Sequence, residues 1–250
     1  MALIKSFFEL TEKYCSEYGD NTIFLIQVGA FFECYGLKDK DSIHSSRIMD
    51  FSRICDLNVV DKRATVNGCD VVMAGFKEHL LDKYVKKLQD AGYTVAVYVQ
   101  DEQCANTTRS LLGVFSPGTY FSTEIDETNI TNNTCCIWLE VKKKPMHQTN
   151  KNVGKSILNI FVGVSVIDVY TGKTSIMEYS TNYIKNPTTF DELEHFISIH
   201  CPSETICISN LPKADINDII NYVNIKSKAI HLVDLLEGES PSKNTLRALN

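Results

Sequence analysis

What this 250-residue sequence lacks narrows the field first. It has nine cysteines, yet no two are spaced Cys-x-x-Cys. That excludes paired zinc-ribbon ligands, and the spacing does not suggest a secreted disulfide framework. Cys135 and Cys136 are adjacent on an expected strand, so they face opposite ways and cannot readily share a metal. The six histidines are scattered. No apolar run approaches the roughly 20 residues that span a bilayer, so no membrane partner is expected. The N-terminal Met-Ala-Leu-Ile-Lys-Ser-Phe-Phe-Glu lacks the charged-then-apolar order of a signal peptide. Reduced thiols in an intracellular, reducing compartment fit these absences. Basic residues are also short: 25 Lys and Arg against 31 Asp and Glu give a net charge of −6. This is not the footprint of a strongly basic nucleic-acid binder, and any contact with nucleic acid must be a small site.

A complete phosphate-binding loop is absent too. Gly154-Lys155-Ser156 resembles the end of one, but the first glycine of Gly-x-x-x-x-Gly-Lys-[Ser/Thr] falls on Thr149. The segment also leads into an expected strand, whereas phosphates need a helix N-terminus. The chain is therefore read as no enzyme, with no cofactor of its own.

What is present centres on Ile23–Gly36. Ile23–Val28 is an apolar, β-branched run suited to a strand buried on both faces. It breaks at Gly29, where a backbone can turn tightly. Phe31, Phe32 and Glu33 follow. Two residues apart in extended chain, Phe31 and Glu33 point to one side. Core aromatics beside a solvated carboxylate is one reading. An apolar wedge beside a hydrogen-bonding group is the other.

Around this stretch the periodicity predicts a helix over Leu3–Tyr18 stopped by Gly19. A second helix is predicted from Asp39–Ser42 to about Ile54, with Ile43, Ile48, Met49 and Phe51 inward. Leu57–Val60 reads as a short strand and Asp61–Gly68 as a turn-rich loop. Glu78–Leu88 reads as an amphipathic helix closed by Gly92, with His79 capping or packing, and Tyr93–Gln100 as a strand. The second half reads as strands at Cys135–Val141, Ser156–Tyr170 and Thr174–Tyr179. A helix (Phe190–His200), a strand (Thr205–Ser209), a helix (Asp215–Asn224) and a strand (Ala229–Val233) follow. Three antiparallel strands and then alternating helices and strands is the ribonuclease-H-like pattern. Such a fold can hold metal between carboxylates, but Asp168 and Glu140 are too few, and Asp168 reads as a turn residue beside Thr171-Gly172.

Val28-Gly29-Ala30-Phe31-Phe32-Glu33-Cys34-Tyr35 resembles the Phe-x-Glu mismatch-recognition motif of the MutS family of DNA mismatch-repair proteins. Ala30 and Cys34 replace the family's usual acidic residue and Leu. Further matches follow in order. Lys62-Arg63 lie where the family has Lys-Arg-Gly, with Ala64 for the Gly. Val72-Met73-Ala74-Gly75 resembles a Pro-Met-Ala-Gly turn, and His79 matches a family histidine. Phe115-Ser116-Pro117-Gly118-Thr119 is similar to the segment that closes the first domain, and Asp168-x-x-Thr171-Gly172 to a connector hairpin.

The resemblance implies an α/β chain with a mixed-sheet MutS domain I-like unit over residues 1–120. A linker (121–133), a ribonuclease-H-like connector (134–236) and a tail or the start of a following element (237–250) would follow. It implies double-stranded DNA carrying a mismatch or unpaired base as partner. Phe31 would stack on the base from the minor groove, Glu33 would hydrogen-bond it, and Lys62, Arg63 and Met73 would make further contacts. A bond from Glu33 to a ring nitrogen requires a protonated carboxyl. The resemblance also implies a homodimer formed outside this region, repair proteins meeting the connector, and ATP with Mg only in a downstream ATPase. The competing expectation, favoured by the low positive charge, is an interaction scaffold that has lost DNA recognition.

Overall fold

The computed structural model describes residues 2–40, 42–101, 108–119, 131–143, 158–184 and 186–235. The chain divides into two compact units, Met1–Tyr120 and Phe121–Asn250.

In the first unit, α1 (Ala2–Tyr18) carries Ile4, Phe7, Thr11 and Tyr14 at helical spacing, and these are its buried residues. Gly19 ends it at φ +93°, a left-handed conformation that glycine adopts without steric penalty. Strands β1 (Thr22–Val28) and β2 (Phe31–Lys38) form a hairpin around Gly29-Ala30. They continue into a sheet with β3 (Ile43–His44), β4 (Val60–Val66), β5 (Cys69–Lys77), β6 (Thr94–Gln100) and β7 (Arg109–Phe115). The order is β4-β5-β2-β1-β6-β7, with β3 on β2. Among the described residues of this unit, β1 and β6 pair in parallel and the other pairs are antiparallel.

Helices cover both faces. Phe7 of α1 packs on Phe24 and Tyr35. On the opposite face, Phe76 meets Phe32, Phe51 of α2 (Ile48–Cys55) and Tyr84 of α3 (Leu81–Asp90). This double cover is why Ile23, Phe24, Leu25 and Ile26 are all buried in succession.

Several expectations are corrected. The second helix begins at Ile48, not at Asp39–Ser42. Asp39 N–H donates to Ser42 O at 2.9 Å and turns the chain so that Ile43-His44 can pair with Leu37-Lys38. Polar turn residues serve a hairpin as well as a helix start. Met49 then points outward, 51% exposed. The expected loop at Asp61–Gly68 is instead strand β4, turning to β5 at Asn67-Gly68, both at positive φ. The expected Met73-Ala74-Gly75 turn lies within β5. His79 is exposed in a short 3-10 turn and not packed.

In the second unit, β8 (Asn133–Lys143), β9 (Leu158–Asp168) and β10 (Thr174–Asn182) are antiparallel. After α4 (Asp191–His200), β11 (Glu204–Ser209) pairs parallel to β8. After α5 (Lys213–Val223), β12 (Ala229–Asp234) extends the same direction. The order β10-β9-β8-β11-β12 is the ribonuclease-H-like arrangement. Asp168 is a hairpin brace: its Oδ2 accepts from Thr171 Oγ1 at 2.6 Å and its Oδ1 from Asn132 and Tyr170 N–H. Glu140 pairs with Phe161 and Asp168 with Asn133, seven residue pairs apart along the ladder. No group of three or more His, Cys, Asp or Glu suited to a metal occurs among the described residues. The 144–157 stretch, including Gly154-Lys155-Ser156, and the tail from 236 lie outside the described residues.

Candidate nucleic-acid interface

Strand alternation sets the site. Phe31, Glu33 and Tyr35 share the face of β2 that carries α1, while Phe32 and Cys34 point to the other core. Phe31 occupies the first position of β2, beside the turn, and is 44% exposed. Its ladder partners are Val28 on β1 and Lys77 on β5, and Lys77 is exposed.

The turn before Phe31 is held on several sides. Gly29 takes φ +59° and its N–H donates to Gln100 Oε1 at 2.8 Å. Gln100 N–H donates to Gln27 Oε1 at 2.9 Å. Gln27 Nε2 donates to Glu78 Oε2 at 2.9 Å, and Glu78 N–H closes back on Ala30 O at 3.0 Å. Arg109 Nε donates to Gln27 O at 2.7 Å. An exposed aromatic thus stands on a braced turn.

Glu33 lies one alternation further in and is only 6% exposed. Its Oε2 accepts from the Tyr35 hydroxyl and from Lys62 Nζ, the latter at 2.7 Å. The Lys62 ammonium also lies 5.5 Å from the centre of the Tyr35 ring. Burial, followed by the Glu33 hydrogen bond, pushes the Tyr35 phenol well above its ordinary range, so it stays a donor. Directly opposite Glu33 is Gly75. A Cβ there would come within 2.7 Å of Phe32 O and 3.3 Å of Glu33 Cγ.

Lys62 reaches Glu33 from an irregular stretch of β4. Between the pairs Asp61–Val72 and Thr65–Asp70, three residues of β4 oppose Val71 alone. Arg63 adopts φ +55° within this bulge. Lys62 is thus ion-paired within a strand, where a phosphate contact on a free loop was expected. Arg63 is exposed nearby. Met73 is half-buried against the core and pairs with Tyr35, one alternation inward of Glu33.

The structure therefore brings Phe31, Glu33 and Lys62 onto one face, with Met73 behind them. Sequence reading missed Tyr35, although its two-residue spacing from Glu33 was visible. It also missed Lys77 and the Gln27–Gln100 brace, which depend on register across strands distant in sequence. Glu33 thus receives two donated bonds on a single carboxyl oxygen, Oε2.

Fold and site together define a mixed-sheet domain that presents one exposed aromatic beside a buried, ion-paired carboxylate, followed by a ribonuclease-H-like unit. The family model for MutS domain I matches residues 2–124. A mutS homolog described as a DNA mismatch repair protein, from Acanthamoeba polyphaga mimivirus, is 24% identical over 88% of this chain and 19% of its own. The DNA mismatch repair protein MutS of Fervidobacterium nodosum is 28% identical over 83% of this chain and 20% of its own. That of Flavobacterium psychrophilum is 25% identical over 98% and 23%. The chain belongs to the MutS family and corresponds to the N-terminal region of its members. It spans about a fifth of the length of these relatives.

Proposed function

We propose that this chain recognises a mispaired or unpaired base in double-stranded DNA as part of DNA mismatch repair. Phe31 enters from the minor groove and stacks on that base, and Glu33 hydrogen-bonds it. The observation that carries this reading is the exposure of Phe31 on a braced turn while its neighbour Phe32 is buried.

The energetics suit such a wedge. Unstacking a base step costs a few kcal/mol. Stacking on an aromatic returns about 1–3 kcal/mol. A mismatch is cheaper to unstack and easier to bend, so discrimination follows largely from deformability. Lys77 beside Phe31 and Arg63 near the bulge would contact phosphate, fixing position without reading sequence.

The rest of the reading concerns the wider protein. ATP and Mg would belong to a downstream ATPase, a dimer would form outside this region, and repair proteins would meet the connector. No described helix is long and apolar enough to cross a membrane. An intracellular, reducing compartment suits the cysteines, since burial pushes the Cys34, Cys55 and Cys135 thiols up to about 12, although Cys201 is exposed.

The test is binding to a labelled duplex bearing one G·T pair or one unpaired T, against matched duplex, at one low salt concentration. Preference for the lesion, lost in Phe31→Ala, is the expected result. Preference that survives Phe31→Ala assigns the reading to another residue. Absence of any preference favours a scaffold that has lost DNA recognition, the reading that the net charge of −6 supports.

A further inference from the structure

Backbone pairing between β1 and β6 runs from Thr22–Thr94 to Ile26–Tyr98 and stops there. Beyond it two glutamine side chains take the place of the ladder. Gln27 Oε1 accepts from Gln100 N–H, and Gln100 Oε1 accepts from Gly29 N–H. We infer that Gln27 and Gln100 are positioning residues for Phe31, which stiffen its turn and thereby raise selectivity for a lesion over matched duplex. The inference rests on the function proposed above and adds to it what aims the wedge.

Three observations carry it. First, the outward polar groups of the turn are occupied. Gly29 takes φ +59° at the first of the two turn positions and Ala30 stays out of the positive-φ region, as in a type II′ hairpin. The outward groups of an exposed turn are ordinarily left to water. Here Gly29 N–H is bonded to Gln100 Oε1, Gly29 O to Gln27 Nε2 at 3.2 Å, and Ala30 O to Glu78 N–H. Second, the pair is anchored further into the sheet. Arg109 of β7 donates to the Gln27 carbonyl and is also the ladder partner of Gln100. The turn is therefore tied to β6 and β7 as well as to its own hairpin. Third, both glutamines are only half-buried and Phe31 is exposed, so the direction of the ring is set by the turn and not by packing around it.

Pushing an apolar wedge between base steps loads the tip as well as the stack. A tip free to bend must be ordered at the moment of insertion, and that lost entropy is subtracted from affinity. A tip ordered in advance loses nothing then. Phosphate contacts to matched duplex involve no insertion and do not feel the difference. The glutamines therefore act on the ratio of lesion to matched binding.

The experiment uses labelled duplexes, one matched and one with an unpaired T beside 2-aminopurine, whose fluorescence brightens when it unstacks. Both are titrated with the parent chain, Gln100→Leu, Gln100→Glu, Gln27→Met and Phe31→Ala. Gln100→Leu removes the acceptor for Gly29 N–H, and Gln100→Glu keeps an oxygen there. Gln27→Met keeps the length of the side chain and removes its hydrogen bonds. Melting curves confirm that each variant is folded.

Gln100→Leu and Gln27→Met are expected to lower the lesion-to-matched ratio about tenfold by weakening lesion binding alone. Matched binding should stay within about twofold of the parent, because the phosphate contacts are untouched. At saturating protein the two variants should also brighten 2-aminopurine less than the parent does. Gln100→Glu adds a negative charge that weakens both duplexes alike, yet should hold the ratio within about threefold of the parent. A ratio unchanged in Gln100→Leu overturns the inference, as does Gln100→Glu behaving like Gln100→Leu. Lesion and matched binding weakened in parallel by Gln100→Leu overturns it too, and reduces the pair to a role in stability. In each of these cases a lesion preference lost in Phe31→Ala leaves the wedge standing. A preference absent from the parent, or unchanged in Phe31→Ala, overturns the wedge and this inference together.

Discussion

Phe31 and Phe32 are the same residue one position apart, and β2 sends them to opposite environments. Phe32 is buried against Phe76, 5.9 Å between ring centres, whereas Phe31 begins the strand in the open. Truncating Phe32 to Ala is expected to destabilise the first unit by about 3–5 kcal/mol, as for other buried aromatics. Phe31→Ala should change stability by under about 1 kcal/mol, since little packing is lost at an exposed site. Urea denaturation of the two variants checks this, and comparable losses would show that Phe31 is a core residue. Composition could not separate the pair. Alternation from the buried β1 run indicates which of them faces the α1 side, but exposure depends on where the strand ends. Lys62 illustrates the deeper limit. Its match to a family basic residue was legible in the sequence. Its partner was not, because a bulge and two intervening ladders decide how far its ammonium reaches.

Among elements, the second unit was readable nearly strand by strand. Period-two alternation and turn residues such as Thr171-Gly172 mark both ends of each strand. The first unit hid the start of α2, and β4 altogether. A polar turn at Asp39–Ser42 was read as a helix start, and the bulge in β4 breaks the alternation that would reveal a strand. Close packing between elements was invisible too. Gly75→Ala places a Cβ 2.7 Å from a backbone oxygen of β2, which cannot swing aside as a side chain could. Its expected effect is a loss of about 1–3 kcal/mol in urea denaturation, with weakened lesion binding because the Glu33 stem is crowded. Unchanged stability would show that β5 shifts freely against β2. At the other sheet, His231 on β12 bonds Glu204 on β11 at 2.7 Å, and that hydrogen bond raises the imidazole above its ordinary 6.5 despite partial burial. A raised folded value means the stabilisation is complete below about pH 6.5 and fades as pH climbs through the folded value. Melting temperatures across this window should therefore fall with rising pH in the parent, with a flatter profile in His231→Gln. An identical slope in the variant would assign the dependence to other groups.

For the whole molecule, charge is the governing quantity. A net charge of −6 leaves only a few cations near Phe31 to meet phosphate. Each neutralised phosphate contributes roughly −0.9 to the slope of log affinity against log salt. Two or three contacts therefore give an expected slope of about −2 to −3 in a salt titration of lesion binding. A slope steeper than about −5 would reveal a larger basic surface than this one. The topology of the first unit bears on the speed of its assembly. The β1–β2 hairpin is local and such hairpins form within about 1–10 μs. Yet β1 also pairs with β6, Thr22 opposite Thr94, and Gln100 reaches back to fix the turn from the end of that same strand. Those contacts await closure of a loop of some seventy residues, the kind of distant pairing that slows folding. During synthesis the hairpin would emerge from the ribosome well before its brace, so an exposed aromatic precedes the scaffold that aims it, and the reading head becomes rigid only when the sixth strand docks.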